Sequence, residues 1–133
     1  MRKLLKINKL REKAWRVFSE YIRRKNANPD GYTECITCGK MVFWKQIHAS
    51  HFIHGHVKPT FLEESNVHPG CVVCNLYKSG NLIPYYEFMV KTYGQQEIER
   101  LKQLSHAVFK PSRDYYDNLI SKYQSLLDGM PKV

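Results

Sequence analysis

Two Cys-x-x-Cys pairs, Cys35/Cys38 and Cys71/Cys74, hold all four cysteines of the chain and constrain its fold more than any other feature. Each pair can bite a metal through one tight turn, and four thiolates fill the tetrahedral shell of a structural zinc ion. Gly39, directly after the first pair, lets backbone amides turn toward the sulfurs. Because the pairs lie far apart in sequence, such an ion closes a long loop, and its binding becomes folding energy. A redox pair or an iron–sulfur cluster would use the same residues. Neither explains why the second pair opens a helix bearing Asn75 and Lys78. A complete sulfur shell leaves no open position, so this zinc is expected to be structural.

Close cysteine pairs with none left over favour metal over disulfides in an intracellular chain. The basic N-terminal stretch lacks a signal peptide's apolar region, and no apolar run is long enough to cross a bilayer. A cytoplasmic protein with no membrane partner is therefore expected. The length of 133 residues suits one domain. A formal charge of +9 and a pI near 9.4 point to a polyanionic partner, most commonly nucleic acid. A solvated basic surface is the plainer alternative.

Residues 3–25 read as a helix, with Leu4, Ile7, Leu10, Ala14, Val17, Phe18, Tyr21 and Ile22 on one stripe and mostly lysine and arginine elsewhere. Pro29-Asp30-Gly31 makes a turn. Short strands are expected over 41–46 and 49–53, with another at Phe61-Leu62. A helix should begin near Cys71–Cys74 and carry Asn75 and Lys78. Further helices are expected over 85–93, with Pro84 in the first turn and Gly94 at the end, then over 95–107 and 114–127. The single domain 1–133 thus divides into a basic helix and turn (1–31), a zinc-bound core (32–81) and C-terminal helices (82–133).

Four histidines, His48, His51, His54 and His56, lie between the cysteine pairs. His51, Asn66 and Asn75, set around Cys71-x-x-Cys74-Asn75-x-x-Lys78, resemble the His-Asn-His/Asn pattern of the HNH, or His-Me finger, nucleases. One branch is matched more closely. Phe18-Ser19-x-Tyr21-Ile22-Arg23, Cys35-Ile36-x-Cys38-Gly39, Ala49-x-His51-Phe52, Asn66-Val67-His68 and Cys71-Val72-Val73-Cys74-Asn75-x-x-Lys78-Ser79-Gly80-Asn81 resemble the NinG/Rap family of lambdoid phage recombination nucleases. The resemblance spans about residues 14–105. It implies an α+β fold, a zinc-stapled, treble-clef-like ββα-metal finger flanked by N- and C-terminal helices. It also implies an endonuclease for branched DNA such as Holliday junctions and flaps, working in a bacterial host or phage-infected cell.

Phosphodiester hydrolysis needs a base to activate water and a cation to hold the charge developing on phosphate and leaving oxygen. His51 is the expected base. Mg²⁺ or Mn²⁺ keeps most of its waters, so one amide oxygen plus substrate oxygens can suffice, and Asn75 is the expected ligand. Asn66 would hold a loop that orients His51, and Lys78 would neutralise a phosphate. Ser50 stands where many HNH enzymes carry a metal-binding Asp, so His48, His54 or His56 could supply a second ligand, His48 and His56 being the preferred candidates. His68 reads as structural. Arg16, Arg23, Arg24, Lys25, Lys58 and Lys78 are the expected DNA contacts. Trp44, Tyr77, Tyr85, Tyr86 and Tyr93 are either core residues or platforms for unpaired bases. Paired incisions at junctions would suit a homodimer. The competing readings are a non-catalytic zinc-stapled DNA-binding module and an RNA-binding zinc protein, the latter leaving the histidines unexplained.

Overall fold

The computed structural model describes residues 5–132, so Leu4 of the expected apolar stripe lies outside it. Helix α1 (Ile7–Arg24) buries Leu10, Ala14, Phe18 and Ile22, a strict four-residue repeat that makes one ridge. The helix starts later than its apolar pattern because Lys6 offers no capping side chain and the first turn holds no acid to meet the helix dipole. The buried ridge packs on Tyr116 and Tyr123 of the last helix, α4 (Arg113–Asp128), which Ser112 caps by accepting from the Tyr115 amide.

Between these helices lie two small antiparallel sheets. Strands β1 (Tyr32–Glu34) and β2 (Met41–Phe43) pair with Tyr32 opposite Phe43, and the first cysteine pair occupies the hairpin between them. Gly31 enters this hairpin at φ 88°, where a Cβ would sit 2.7 Å from the Phe43 ring. Strands β3 (His48–His51) and β4 (Val67–Gly70) pair with Ser50 opposite His68. The Ile36 amide donates to the Pro69 carbonyl at 3.0 Å and ties the hairpin to β4. Two further helices, α2 (Leu82–Tyr93) and α3 (Gln95–Ser105), bury Tyr85, Met89, Ile98 and Leu101 against Ile36, Phe52 and Ile53.

The expected mixture of α and β is present, with three local corrections. Phe61-Leu62 is not a strand. Turns close around it through Phe61 N to Lys58 O at 3.1 Å and Glu63 N to Thr60 O at 3.3 Å, and β3 takes Val67–Gly70 as its partner instead. The helix after Cys71 is a single π turn, Val73–Tyr77. It ends in three residues with positive φ, Ser79, Gly80 and Asn81, which no right-handed helix accommodates. Finally, α2 begins at Leu82, immediately after this left-handed stretch, with Pro84 in its first turn.

Candidate metal centre and catalytic cleft

The β1–β2 hairpin and the start of the π turn bring Cys35, Cys38, Cys71 and Cys74 together, with all four sulfurs within 4.8 Å of one another. The Cys38 and Cys71 sulfurs are 3.7 Å apart. Zinc–sulfur bonds of about 2.3 Å in a tetrahedron place neighbouring sulfurs about 3.75 Å apart. The spacing therefore fits a zinc ion. Donors already surround the sulfurs: Thr37 Oγ1 lies 3.2 Å from Cys35 Sγ, the Cys74 amide 3.5 Å from Cys71 Sγ, and Asn81 Nδ2 3.6 Å from Cys74 Sγ. Burial raises the Cys35 thiol, but bonds from Thr37 and the Cys71, Cys38 and Thr37 backbone outweigh it, and its pKa falls to about 6. At Cys38 the Lys40 amide favours the thiolate, yet burial and the three neighbouring sulfurs win and push it up to about 12. The thiolate is thus favoured at Cys35 and opposed at Cys38 by its sulfur neighbours. A divalent cation resolves that conflict.

Asn66 is fully buried. Its Oδ1 accepts from the Ile53 amide at 2.9 Å, and its Nδ2 donates to the Ile53 and Thr60 carbonyls, each at 3.0 Å. One amide side chain thereby ties residues 53 and 60 of the loop together. The neighbouring Phe61 carbonyl lies 2.9 Å from His51 Nε2. A carbonyl only accepts, so Nε2 carries the proton and Nδ1 keeps its lone pair. Trp15 and Phe61 stack on the ring with centroids 5.0 Å away. Burial lowers the His51 pKa, against the raising effect of the Phe61 bond, with His54 adding to the fall.

Asn75 sits on the π turn, immediately after Cys74, and reaches back to β3. Ser50 Oγ donates to its Oδ1 at 2.9 Å, and its Nδ2 lies 3.0 Å from His48 Nδ1. Alternate residues of a strand share a face. His48 and Ser50 therefore meet Asn75, whereas Ala49 and His51 turn toward α1. The expected base and the expected ligand do not touch. They are linked through Trp15, which stacks on His51 and also lines an open cleft of about 350 Å³ with Ser19, Arg23, Lys45, Ile47, His48, Ala49 and Asn75.

The remaining candidates separate by environment. Arg16 and Lys78 are exposed, Lys78 flanking the π turn. Arg23 is half-buried, with Nε on Ser19 Oγ at 3.1 Å and Nη1 on the Trp44 carbonyl at 2.9 Å. Arg24 pairs with Glu20 at 2.7 Å and lies over Trp44. Lys25 faces Glu64 at 3.9 Å. The Lys58 stem covers Gly55. His56 is exposed with its ring edge toward Phe61, and His54 approaches Gly80. Tyr85 is in the core, Tyr86 and Tyr93 are partly exposed, and Tyr77 stands 81% exposed. Sequence reading did not single out Trp15 or Lys45, and met Ser19 only as part of a motif. The spacing of Trp15, Ser19 and Arg23, four residues apart on one helix face, was the available signal.

A family model described as "Bacteriophage Lambda NinG protein" matches residues 1–132. Protein ninG of Escherichia phage 933W is 32% identical over 97 residues, which is 72% of this chain and 47% of that protein. Protein ninG of Escherichia phage lambda is 36% identical over 69 residues, covering 51% of this chain and 33% of that protein. Protein ninG of Salmonella phage P22 is 35% identical over 69 residues. No solved structure matches. The aligned region spans about half or less of the length of these relatives. Among the described residues no helix is long and apolar enough to cross a membrane. With nearly its whole length matched and its cysteine cluster shaped for a metal ion, the chain belongs to the family of the bacteriophage lambda NinG protein.

Proposed function

We propose that this chain is a metal-dependent DNA endonuclease of the HNH type, in which His51 activates the water that attacks a phosphodiester. The observation carrying this reading is the anchoring of His51. A loop locked by buried Asn66 presents the Phe61 carbonyl to Nε2 and leaves Nδ1 as a free base. The lowered pKa keeps that nitrogen unprotonated at neutral pH.

Asn75 would hold the catalytic Mg²⁺ or Mn²⁺, which when bound supplies charge neutralisation at the phosphate and the leaving oxygen. Arg23 spends one Nε and one Nη1 donor on Ser19 and Trp44, and the other donors of its guanidinium can meet a phosphate in the cleft. Lys45 on the rim and exposed Lys78 extend the positive path. The attack would leave 5′-phosphate and 3′-hydroxyl ends. Branched DNA as substrate, a role in phage recombination and paired incision by a homodimer rest on the resemblance to the NinG/Rap nucleases.

One observation favours a second reading, a zinc-held DNA-binding module without activity. Ser50 stands where many HNH enzymes carry Asp, and its hydroxyl occupies Asn75 Oδ1. Incubating the chain with a four-way junction and a linear duplex separates the two. Nicking that needs Mg²⁺ or Mn²⁺, stops with EDTA and disappears in His51→Ala while binding persists supports the enzyme. Tight binding without nicking under any divalent cation supports the module.

A further inference from the structure

We propose that Leu76 and Tyr77, at the tip of the π turn, form an apolar knuckle that stacks on an unpaired base, so that the chain prefers DNA with bases outside the duplex. This deepens the DNA reading above, on which it rests, and binding tests it without cleavage.

The turn presents the pair rigidly. Cys71 and Cys74 fix its start in the sulfur cluster, and the Asn75 amide donates to the Cys71 carbonyl at 2.8 Å. Beyond the tip, the Lys78 amide returns to the Val73 carbonyl and the Gly80 amide to the Cys74 carbonyl, each at 2.9 Å. Both ends are therefore held, and the left-handed residues 79–81 stop the turn from continuing as a helix. Asn75 points inward to Ser50 and His48. Leu76 and Tyr77 point outward, 60% and 81% exposed. A held turn that leaves two large apolar side chains in water forgoes the free energy of burying them, and a ligand that covers them recovers it.

The surroundings select the ligand. Lys78 follows Tyr77, and no acidic residue lies between Glu64 and Glu87, so a polyanion meets no carboxylate from this stretch. Inside a duplex each base face is covered by its neighbours, and inserting a side chain costs unstacking. An unpaired base offers its face without that cost, and every base has a π surface for the Tyr77 ring. Leu76 beside the ring supplies an apolar wedge. Two residues of chain span at most about 7 Å, so a base on Tyr77 belongs to the same stretch of DNA as a phosphate beside Asn75. The other exposed tyrosines have partners: Tyr32 packs edge-on against Phe43, and the Tyr86 and Tyr93 hydroxyls bond to Gln95 and His68.

The test compares binding of the zinc-replete full chain, without Mg²⁺ or Mn²⁺, to a fully paired duplex and to the same duplex carrying a short single-stranded flap. Wild type should favour the flapped DNA. Tyr77→Ala should bind it at least about tenfold more weakly and change paired-duplex affinity by less than about twofold. Tyr77→Phe, which keeps the ring, should match wild type. With 5-iodouracil at the first unpaired position, irradiation should crosslink Tyr77, identified by mass spectrometry, and the same label within the paired arm should not. Unchanged flap binding by folded Tyr77→Ala, an equal loss on both DNAs, or a crosslink only at another residue overturns the proposal. Self-association that Tyr77→Ala abolishes while flap binding is unchanged assigns the knuckle to a second copy of the chain and overturns it too. Flap preference through Tyr77 without cleavage under any divalent cation upholds the knuckle and removes the nuclease reading. Cleavage by wild type and Tyr77→Ala with the same flap preference overturns the knuckle and leaves that reading intact.

Discussion

Acid should weaken this fold through His68. His68 is 4% exposed in β4. The Tyr85 hydroxyl donates to the Ser50 carbonyl at 2.7 Å, so at 2.9 Å its oxygen accepts from His68 Nδ1–H. His68 Nε2 then accepts from the Tyr93 hydroxyl at 2.7 Å. Neither ring nitrogen has room for a second proton without breaking this chain. Burial, helped by the charge of Lys25, holds the His68 pKa down to about 3. Unfolding frees the ring to titrate near its ordinary value of about 6.5. Between those values the unfolded chain binds the proton and the folded chain does not, so stability falls as pH drops below about 6.5. At pH 5, one and a half pH units down, the loss is about 2 kcal/mol. Urea unfolding of zinc-replete wild type and His68→Gln at pH 7.5 and 5.0 measures it. Thiolate protonation affects both chains alike. Wild type should therefore lose about 2 kcal/mol more than the variant across this interval. Equal losses would refute the assignment of a neutral, buried His68.

Three other expectations follow from the same contacts. Removing zinc with a chelator, or substituting Cys71→Ala, should unfold the β1–β2 hairpin and the π turn together. Elemental analysis should find one zinc per chain, and a zinc-free chain with unchanged circular dichroism would contradict the staple. Asn66→Ala strands the Ile53 amide and the Ile53 and Thr60 carbonyls, and should cost roughly 3 kcal/mol in denaturant midpoint analysis. A cost below about 0.5 kcal/mol would show that the loop does not depend on it. In single-turnover cleavage the acid limb should fall below pH 6.5, because burial lowers the His51 pKa and only the neutral ring accepts a proton. A limb above 7 would reassign the base.

The parts legible in sequence were those whose cause is local. Each Cys-x-x-Cys turn announces its own geometry, and the repeat Leu10, Ala14, Phe18, Ile22 announces a buried ridge. Asn66 was legible as a loop-holding residue through its motif. Strand β4 was not, because Val67-His68-Pro69-Gly70 has neither β-branched richness nor alternation, and only pairing with β3 makes it a strand. The contact between His48 and Asn75 spans 27 residues and depends on the strand face and on the π turn together. Charge alone could not separate Arg24, paired with Glu20, from exposed Arg16, since both lie on the same basic helix. Trp15 was read as neither core nor site. In the fold it is the ring that joins His51 to the cleft.

In the proposed reaction, water would hydrolyse a phosphodiester held in this cleft. The most direct measurement is cleavage of a four-way junction with Mn²⁺ in ¹⁸O-labelled water, with both product ends analysed by mass spectrometry. Attack by water activated at His51 would leave one ¹⁸O on each new 5′-phosphate, an unlabelled 3′-hydroxyl, and no product from His51→Ala. Label at the 3′ end, equal cleavage by His51→Ala, or an intact junction with every divalent cation tried would contradict it.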